Sequence, residues 1–172
     1  MRFLESENIR LRALEPEDLE LLYEWENDSS LWITGNTRAP YSKFQLKEYI
    51  SQAKNDIYSD GTLRLMVFDK ISGQTVGTID LFDFDFHHSR VALGVFVAEK
   101  FQGNGYASQS LPLVENYVFN FLKINQLYAL VAENNLISRK LFETNYEQNG
   151  YLRNWLKTPD GFENVLIFQK FK

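Results

Sequence analysis

The segment 91–108 constrains the fold more than any other part of the chain. It passes from an apolar run, residues 91–98, through a turn that contains Gly103 and Gly105, and then into the start of a helix. The first N–H groups of a helix lack partners within it, and the aligned peptide dipoles leave a partial positive charge there. Because glycine has no Cβ, the main chain can approach a ligand closely. The segment therefore predicts a site for a phosphate or diphosphate.

The segment has three other interpretations. A strand, a turn with two glycines and a helix can form a tight connection that binds nothing. A P-loop is excluded because no Gly-Lys-Ser/Thr follows. A dinucleotide site would use Gly103-x-Gly105-x-x-Ser108, with serine at the third glycine position, and would require an early parallel βαβ unit. The order of elements before the turn disfavours that reading.

The hydrophobic pattern predicts a mixed α/β order of elements around this segment. Apolar and polar residues alternate where strands are expected and recur at helical spacing where helices are expected. Ser42 and Gln45 match a capping box at the start of the second helix, which Gly61 ends. The expected strands are 9–13, 63–69, 76–82, 90–97, 127–131, 151–155 and 164–171, and the expected helices are 16–27, 42–61, one spanning Leu111 to Leu122, and 135–145. The three strands from 63 to 97 predict an antiparallel meander.

Composition excludes several classes of protein. The 172 residues, 44% of them hydrophobic, fit a single domain, 1–172, with an ordinary core. The absence of cysteine removes disulfides, thiolate zinc sites and a cysteine nucleophile. The net charge is −5 and the basic residues are scattered, which argues against a nucleic-acid surface. The N-terminus lacks the apolar stretch of a signal peptide, and the run 91–98 is too short to span a membrane, so a soluble cytoplasmic protein is expected.

The turn resembles the signature of a known superfamily. Gln102-x-x-Gly105-x-Ala107 is similar to the acyl-CoA-binding pattern Gln/Arg-x-x-Gly-x-Gly/Ala of the GNAT N-acetyltransferases. Leu11-Arg12, the run 88–107 and Asn135-x-x-Ser138 follow in the family order, so the resemblance covers almost the whole chain. It is strongest to the branch of the ribosomal-protein N-terminal alanine acetyltransferases and bacterial spermidine N-acetyltransferases. It implies one GNAT-like domain of about seven largely antiparallel strands and about four helices, with a splay between strands four and five.

The resemblance also implies a binding site for acetyl-CoA. The diphosphate would lie on the turn and helix start, which consist of Gln102, Gly103, Asn104, Gly105, Tyr106 and Ala107. The pantetheine arm would lie in the splay and bond to the amides of Val95, Phe96 and Val97, one of which would also polarise the acetyl carbonyl. The side-chain amide of Asn135 would bond the pantetheine. A plain helix cap explains Asn135 equally well, and the two roles are compatible.

The residues that would move protons depart from the family pattern. Many relatives carry Glu on the fourth strand, where this chain has Ala92. Asp80, Asp83 and Asp85 are nearby, and the spacing of the last two predicts that they share one side of a strand. Asp83 or Asp85 could act through a water or attract a cationic substrate, or they could belong to a solvated loop. His87 and His88 are adjacent and would point oppositely, so no metal site is expected.

The general acid departs from the family pattern as well. Spermidine-acetylating relatives place Tyr seven residues after the helix asparagine, where this chain has Phe142. Ser138 stands where the ribosomal-protein branch often has serine, and its hydroxyl could donate to the departing thiolate. The alternative is an ordinary polar residue in a first helical turn.

The resemblance implies an acetyl-CoA-dependent N-acetyltransferase that works by direct attack in a ternary complex. The missing Glu and Tyr favour a low-pKa α-amine at a protein or peptide N-terminus, because a lysine-like amine has a pKa of about 10.4 and an α-amine about 8. A polyamine-like amine is the second acceptor class. The alternatives are a CoA-binding sensor with little catalysis and a fold with an empty glycine turn. No metal, nucleic acid or membrane partner is expected, and a homo-oligomer is considered.

Overall fold

Seven strands form one mixed sheet in the computed structural model, which describes residues 3–35 and 37–172. The order across the sheet is β1-β2-β3-β4-β5-β7-β6. Neighbouring strands are antiparallel except β4 and β5, which are parallel. The strands are β1 (Ile9–Ala13), β2 (Leu63–Asp69), β3 (Gln74–Asp85), β4 (Arg90–Val97), β5 (Gln126–Ala132), β6 (Glu147–Thr158) and β7 (Gly161–Phe171). The expected mixed sheet and the meander of β2, β3 and β4 are confirmed.

Helices cover both faces of the sheet. They are α1 (Leu19–Glu26), α2 (Trp32–Gly35), α3 (Lys43–Gln52), α4 (Ile57–Asp60), α5 (Tyr106–Asn116) and α6 (Leu136–Glu143). Trp25 of α1 and Leu46 of α3 pack with Met66 of β2 in one core cluster. Leu111 of α5 packs with Leu93 of β4 in the other, together with residues of α6. We call these two sides of the sheet the α1 face and the α5 face.

The prediction of one helix over residues 42–61 is wrong, because two helices occupy this range. The capping box starts α3 as expected, with Ser42 and Gln45 exchanging hydrogen bonds of 2.9 and 3.2 Å. The chain then becomes extended at Ala53, where ψ is 108°. Asp56 starts α4 by accepting from the N–H of Tyr58 at 3.0 Å. The apolar spacing continues across the break, so the pattern alone predicted one helix.

The other elements agree with expectation except at their ends. Strands β3, β6 and β7 are longer than the patterns indicated, and β3 and β6 contain bulges where the register shifts. The third expected helix is α5, which continues as a π-helical turn over Tyr117–Phe121.

The feature that matters most for function is a split between β4 and β5. The two strands pair only over residues 90–92 and 126–128, at the N-terminal end of β4. Residues 93–97 of β4 have no partner on β5 in the described part of the chain, whereas β5 stays paired with β7 along its whole length. The splay predicted from the resemblance is confirmed. We refer to this opening as the split.

Candidate active site

The turn between β4 and α5 is shaped by its own side chains. Gln102 Nε2 donates to the Val97 carbonyl oxygen at 3.1 Å, and Asn104 Nδ2 donates to the Phe101 carbonyl oxygen at 3.0 Å. Gly103 and Gly105 have φ angles of 79° and 76°, in the left-handed region that favours glycine. The polar side chains of the turn therefore fix its backbone and leave its N–H groups available.

The start of α5 presents a row of unpaired main-chain donors. Gly105 is the N-cap and supplies no side-chain cap. Gln109 is the first residue whose N–H bonds back, to the Gly105 carbonyl oxygen at 3.0 Å. Within residues 3–35 and 37–172, the N–H groups of residues 103–108 donate to no protein acceptor. Such a helix end is suited to bind a diphosphate.

A buried carboxylate anchors the first residue of α5. The Tyr106 hydroxyl donates to Asp69 Oδ2 at 3.0 Å, and Asp69 is only 5% exposed. Asp69 also accepts from the Ser72 hydroxyl at 2.6 Å and from the Ile71 N–H at 3.1 Å. These bonds, led by that of Ser72, lower the pKa of Asp69, while burial and then Asp69 raise the pKa of Tyr106. Asp69, whose hydrogen bond with Tyr106 connects the turn to β2, was not predicted from the sequence.

The edge of β4 that faces the split follows from the hydrogen-bond alternation of antiparallel strands. The N–H of Ala98 donates to the Val76 carbonyl oxygen of the neighbouring chain segment at 3.0 Å. Alternation then directs the N–H of Phe96 to β3, and those of Val95 and Val97 toward the split. The free Val97 carbonyl that Gln102 contacts agrees with this assignment. The N–H groups of Val95 and Val97 thus face the split, whereas Phe96 turns its amide away and packs its ring against Trp25 at 5.2 Å.

The start of α6 lies beyond the end of β5. Asn135 Oδ1 accepts from the N–H of Ser138 at 3.0 Å, so Asn135 is a helix cap. In the part of the chain that the structure describes, Asn135 Nδ2 and the Ser138 hydroxyl donate to no acceptor, and both residues are half-buried. Asn135 thus caps α6 through Oδ1 and keeps Nδ2 as a donor for a ligand. Phe142 lies in the core and carries no hydroxyl, as expected.

The candidate carboxylates Asp83 and Asp85 lie at the hairpin between β3 and β4. Asp85 accepts from the N–H of His88 at 2.8 Å and from Arg90 at 3.0 Å, and the His88 bond is the main cause that lowers the pKa of Asp85. Asp83 is exposed with a φ of 49°, and the register shifts between Phe82 and Asp85. The spacing argument for a shared side therefore fails here, because strand alternation is broken. Both lie at the paired end of β4.

No metal site accompanies these residues in the described ranges. His87 and His88 are exposed, with ring centroids 4.7 Å apart. Residues 3–35 and 37–172 contain no group of three or more His, Asp or Glu residues placed to hold a metal ion.

A third carboxylate, Asp80, lies nearer the middle of the sheet on the α1 face. Arg64 Nε donates to Asp80 Oδ1 at 2.6 Å, and Arg64 also bonds the carboxylate of Glu26 in α1. The Thr78 hydroxyl donates to Asp80 Oδ2 at 3.2 Å. Burial opposes the charge of Arg64, yet the two carboxylates raise its pKa above the ordinary value. Asp80 keeps 28% of its side chain exposed.

The split, the donor-rich helix start and the capped α6 together define a GNAT-type domain. Residues 8–145 match the family described as Acetyltransferase (GNAT) domain, and the chain belongs to this family. It is an N-acetyltransferase, as the sequence analysis predicted. In the described part of the chain, no helix has the length and apolar character needed to cross a membrane.

Individual relatives support the predicted branch. The spermidine N(1)-acetyltransferase of Escherichia coli is 26% identical over 76% of this chain and 67% of its own length. The putative ribosomal N-acetyltransferase YdaF of Bacillus subtilis is 26% identical over 95% of this chain and 90% of its own. Among solved structures, the spermidine N-acetyltransferase of Vibrio cholerae in complex with CoA and spermine has a TM-score of 0.85, with 22% identity and 96% of each chain covered. Another structure of the Vibrio cholerae enzyme is described as dodecameric.

Proposed function

We propose that this protein transfers the acetyl group of acetyl-CoA to a primary amine by direct attack in a ternary complex. The single observation that carries the proposal is the row of unpaired N–H groups at residues 103–108, which lies beside the split. The diphosphate of CoA would bind these groups. The pantetheine arm would then run along the edge of β4, within reach of the amides of Val95 and Val97.

The split would supply donors to the two atoms that become negative during the reaction, the carbonyl oxygen and the sulfur. The neutral amine attacks the thioester carbonyl, a C–N bond forms and the C–S bond then breaks. The nitrogen releases one proton to water, and the departing thiolate takes one up. A strand amide, Val95 or Val97, stabilises the oxygen that becomes negative during the attack. The free Asn135 Nδ2 would bond the pantetheine, and the Ser138 hydroxyl would donate to the departing sulfur. Because a thiol has a pKa of only about 8.5, this help can be modest.

Two acceptor classes remain candidates under this proposal. Polyamine-like amines are supported by the names of the spermidine-acetylating relatives and by the net charge of −5. A protein or peptide N-terminal α-amine is supported by the putative ribosomal relative. We also propose a cytoplasmic location and assembly into a homo-oligomer.

The test places a negative charge beside the proposed diphosphate site. Ser108 is exposed in the first turn of α5, where Asp is favourable for the helix. A carboxylate about 7 Å from two phosphate charges costs about 1–3 kcal/mol at an effective dielectric constant of about 30–80. We therefore expect Ser108→Asp to weaken CoA binding about 5- to 150-fold in calorimetry, without loss of thermal stability.

A matched control adds the same charge elsewhere. Gln148 is exposed on β6, so Gln148→Glu should leave CoA binding unchanged. Equal CoA affinities for the wild type and Ser108→Asp would contradict the proposed position of the diphosphate.

A second candidate function is a CoA-binding domain with little catalysis. Ala92 and Phe142 favour it, because neither can carry a proton where relatives do. Release of thiol from acetyl-CoA in the presence of spermidine, or of a peptide with an N-terminal alanine, separates the two functions. Tight CoA binding without turnover on either amine would favour the second.

A further inference from the structure

The acceptor amine must enter the split from the side that CoA does not fill. The starts of α5 and α6 supply the CoA-binding groups, and both helices pack on the α5 face. A pantetheine arm that reaches the split from those helix starts leaves the α1 face as the open approach. The side chains beside the split on the α1 face therefore select the acceptor.

Asp80 is the carboxylate that the register places on this approach. It is the cross-strand partner of Gly94 on β4, and partners in an antiparallel pair project from the same face. Asp80 also pairs with Arg64, which lies two residues before Met66 of the α1-face core. Gly94 has no side chain to cover the carboxylate, and a Cβ built there would lie 3.8 Å from the Asp80 Cβ. Asp80, whose side chain is 28% exposed, thus lies beside the part of β4 that borders the split, with the Phe82 ring as the other neighbour of Gly94.

The contacts of Asp80 favour binding of a cation over removal of a proton. Its two oxygens accept from Arg64 at 2.6 and 3.3 Å, and Thr78 adds a third bond at 3.2 Å. The donors hold the carboxylate in one orientation, which suits a fixed binding site for a cation. Arg64 also bonds Glu26, so one arginine balances two carboxylates and one negative charge is left over. In the described part of the chain, ion pairs join these three partly exposed side chains at this position.

The location of the carboxylate also excludes contact with the attacking nitrogen. Its oxygens lean toward Arg64 on β2, and strands lie about 4.8 Å apart, so they are more than one strand spacing from the β4 edge. A nitrogen that attacks a thioester in the split is out of their reach. A second nitrogen of the same acceptor, separated from the first by a short alkyl chain, is within it.

We propose that Asp80 binds a second, non-reacting ammonium group of the acceptor and thereby selects polyamine-like amines over α-amines without such a group. Arg64 and Glu26 position Asp80 for this role. The inference rests on the proposed function and narrows its acceptor class. It assigns substrate selection to a residue of β3.

The test compares two amines of equal length that differ in charge. Steady-state acetylation is measured with 1,4-diaminobutane and with butylamine, each at saturating acetyl-CoA. We expect Asp80→Asn to raise KM for the diamine at least tenfold with little change in kcat, and to leave KM for butylamine unchanged. Asp80→Glu should restore part of the diamine KM.

Two further variants separate this role from a structural one. Asp160→Asn is the control, because Asp160 is exposed in the turn between β6 and β7, so it should leave both KM values unchanged. Gly94→Val keeps the pair of Asp80 and Arg64 but covers the carboxylate, and should also raise KM for the diamine.

The outcomes that overturn the inference are distinct from those that overturn the proposed function. An unchanged diamine KM in Asp80→Asn overturns the inference, and equal losses with both amines would assign Asp80 a structural role and overturn it too. A rise in the diamine KM of Asp160→Asn as large as that of Asp80→Asn would show a general effect of lost negative charge and would overturn the inference as well. A wild type that binds CoA but acetylates neither amine refutes the proposed function, and the inference with it.

Discussion

Gly77 offers a direct test of how closely β3 and β4 approach at the split. It lies opposite Val97 on β4. A Cβ built on Gly77 would lie 2.0 Å from the Phe96 carbonyl oxygen and 2.9 Å from the Val97 Cα. Both of these atoms belong to the main chain, so no side chain can rotate away. Gly77→Ala therefore requires the two strands to move apart by more than 1 Å, which is roughly the shortfall from van der Waals contact.

Gly94, on the next strand, provides the matched control. A Cβ on Gly94 would have the Phe82 ring as its nearest neighbour at 3.5 Å, which is ordinary contact. Alanine in place of a strand glycine then stabilises by about 0.5–1 kcal/mol, because the unfolded chain loses freedom. For Gly77→Ala we expect instead a loss of about 2–4 kcal/mol, at the upper end of the overpacking cost of about 1–3 kcal/mol or above it, because the clash is with main-chain atoms. In a domain of this size the loss corresponds to a Tm lower by about 4–16 °C.

Urea unfolding and CoA calorimetry on the same samples check this prediction. Because Gly77→Ala displaces the Phe96 carbonyl and Val97, it should also weaken CoA binding in the protein that remains folded. Gly94→Ala should unfold at the same or a higher urea concentration than the wild type. A Gly77→Ala variant within about 0.5 kcal/mol of the wild type would refute the reasoning, since sites without such a clash fall in that range.

Two further predictions concern the CoA site. Asn135→Asp keeps the oxygen that caps α6 but removes the Nδ2 donor, so it should weaken CoA binding at unchanged stability. Asn135→Ala should weaken CoA binding and also lower the free energy of unfolding in urea by about 1 kcal/mol. Equal CoA affinities in the wild type and both variants would contradict the donor role. The pKa of Asp69 is lowered in the folded state, so its stabilisation is present above the unfolded value of about 3.9 and is lost as the pH falls through the lower folded value. Between about pH 5 and pH 2 the wild type should therefore lose more unfolding free energy than Asp69→Asn, and parallel stability curves would contradict this assignment.

Local patterns predicted the elements whose ends carry a local signal. The expected strands 63–69 and 90–97 match β2 and β4 to the residue, because polar or turn residues bound each apolar run. Periodicity failed where it continued through a break. Ile57 keeps the helical spacing of α3, yet Asn55 has a φ of 54° and Asp56 caps a new helix. A pattern of side chains does not report the backbone angles between them.

In the candidate site, too, the features formed by residues close in sequence were predictable, and the contacts between distant residues were not. The helix start at residues 103–108 was predictable because its glycines and its donors are contiguous in sequence. The bond between Tyr106 and Asp69 joins residues 37 positions apart, and no local pattern signals it. The same holds for Arg64, which joins Glu26 to Asp80 across α1, β2 and β3. For Asp83 and Asp85 the rule of alternation was applied beyond the bulge that ends it.

The two sides of the split differ in the kind of group they present. On the α5 face the proposed CoA contacts are mainly main-chain N–H groups, which many sequences can supply as long as the turn and the strand edge keep their geometry. On the α1 face the contacts are side chains, which a single substitution replaces. CoA binding should therefore tolerate sequence divergence better than acceptor choice does. A chain 22–26% identical to spermidine-acetylating relatives can share their fold while its acceptor is set by a few residues around Asp80.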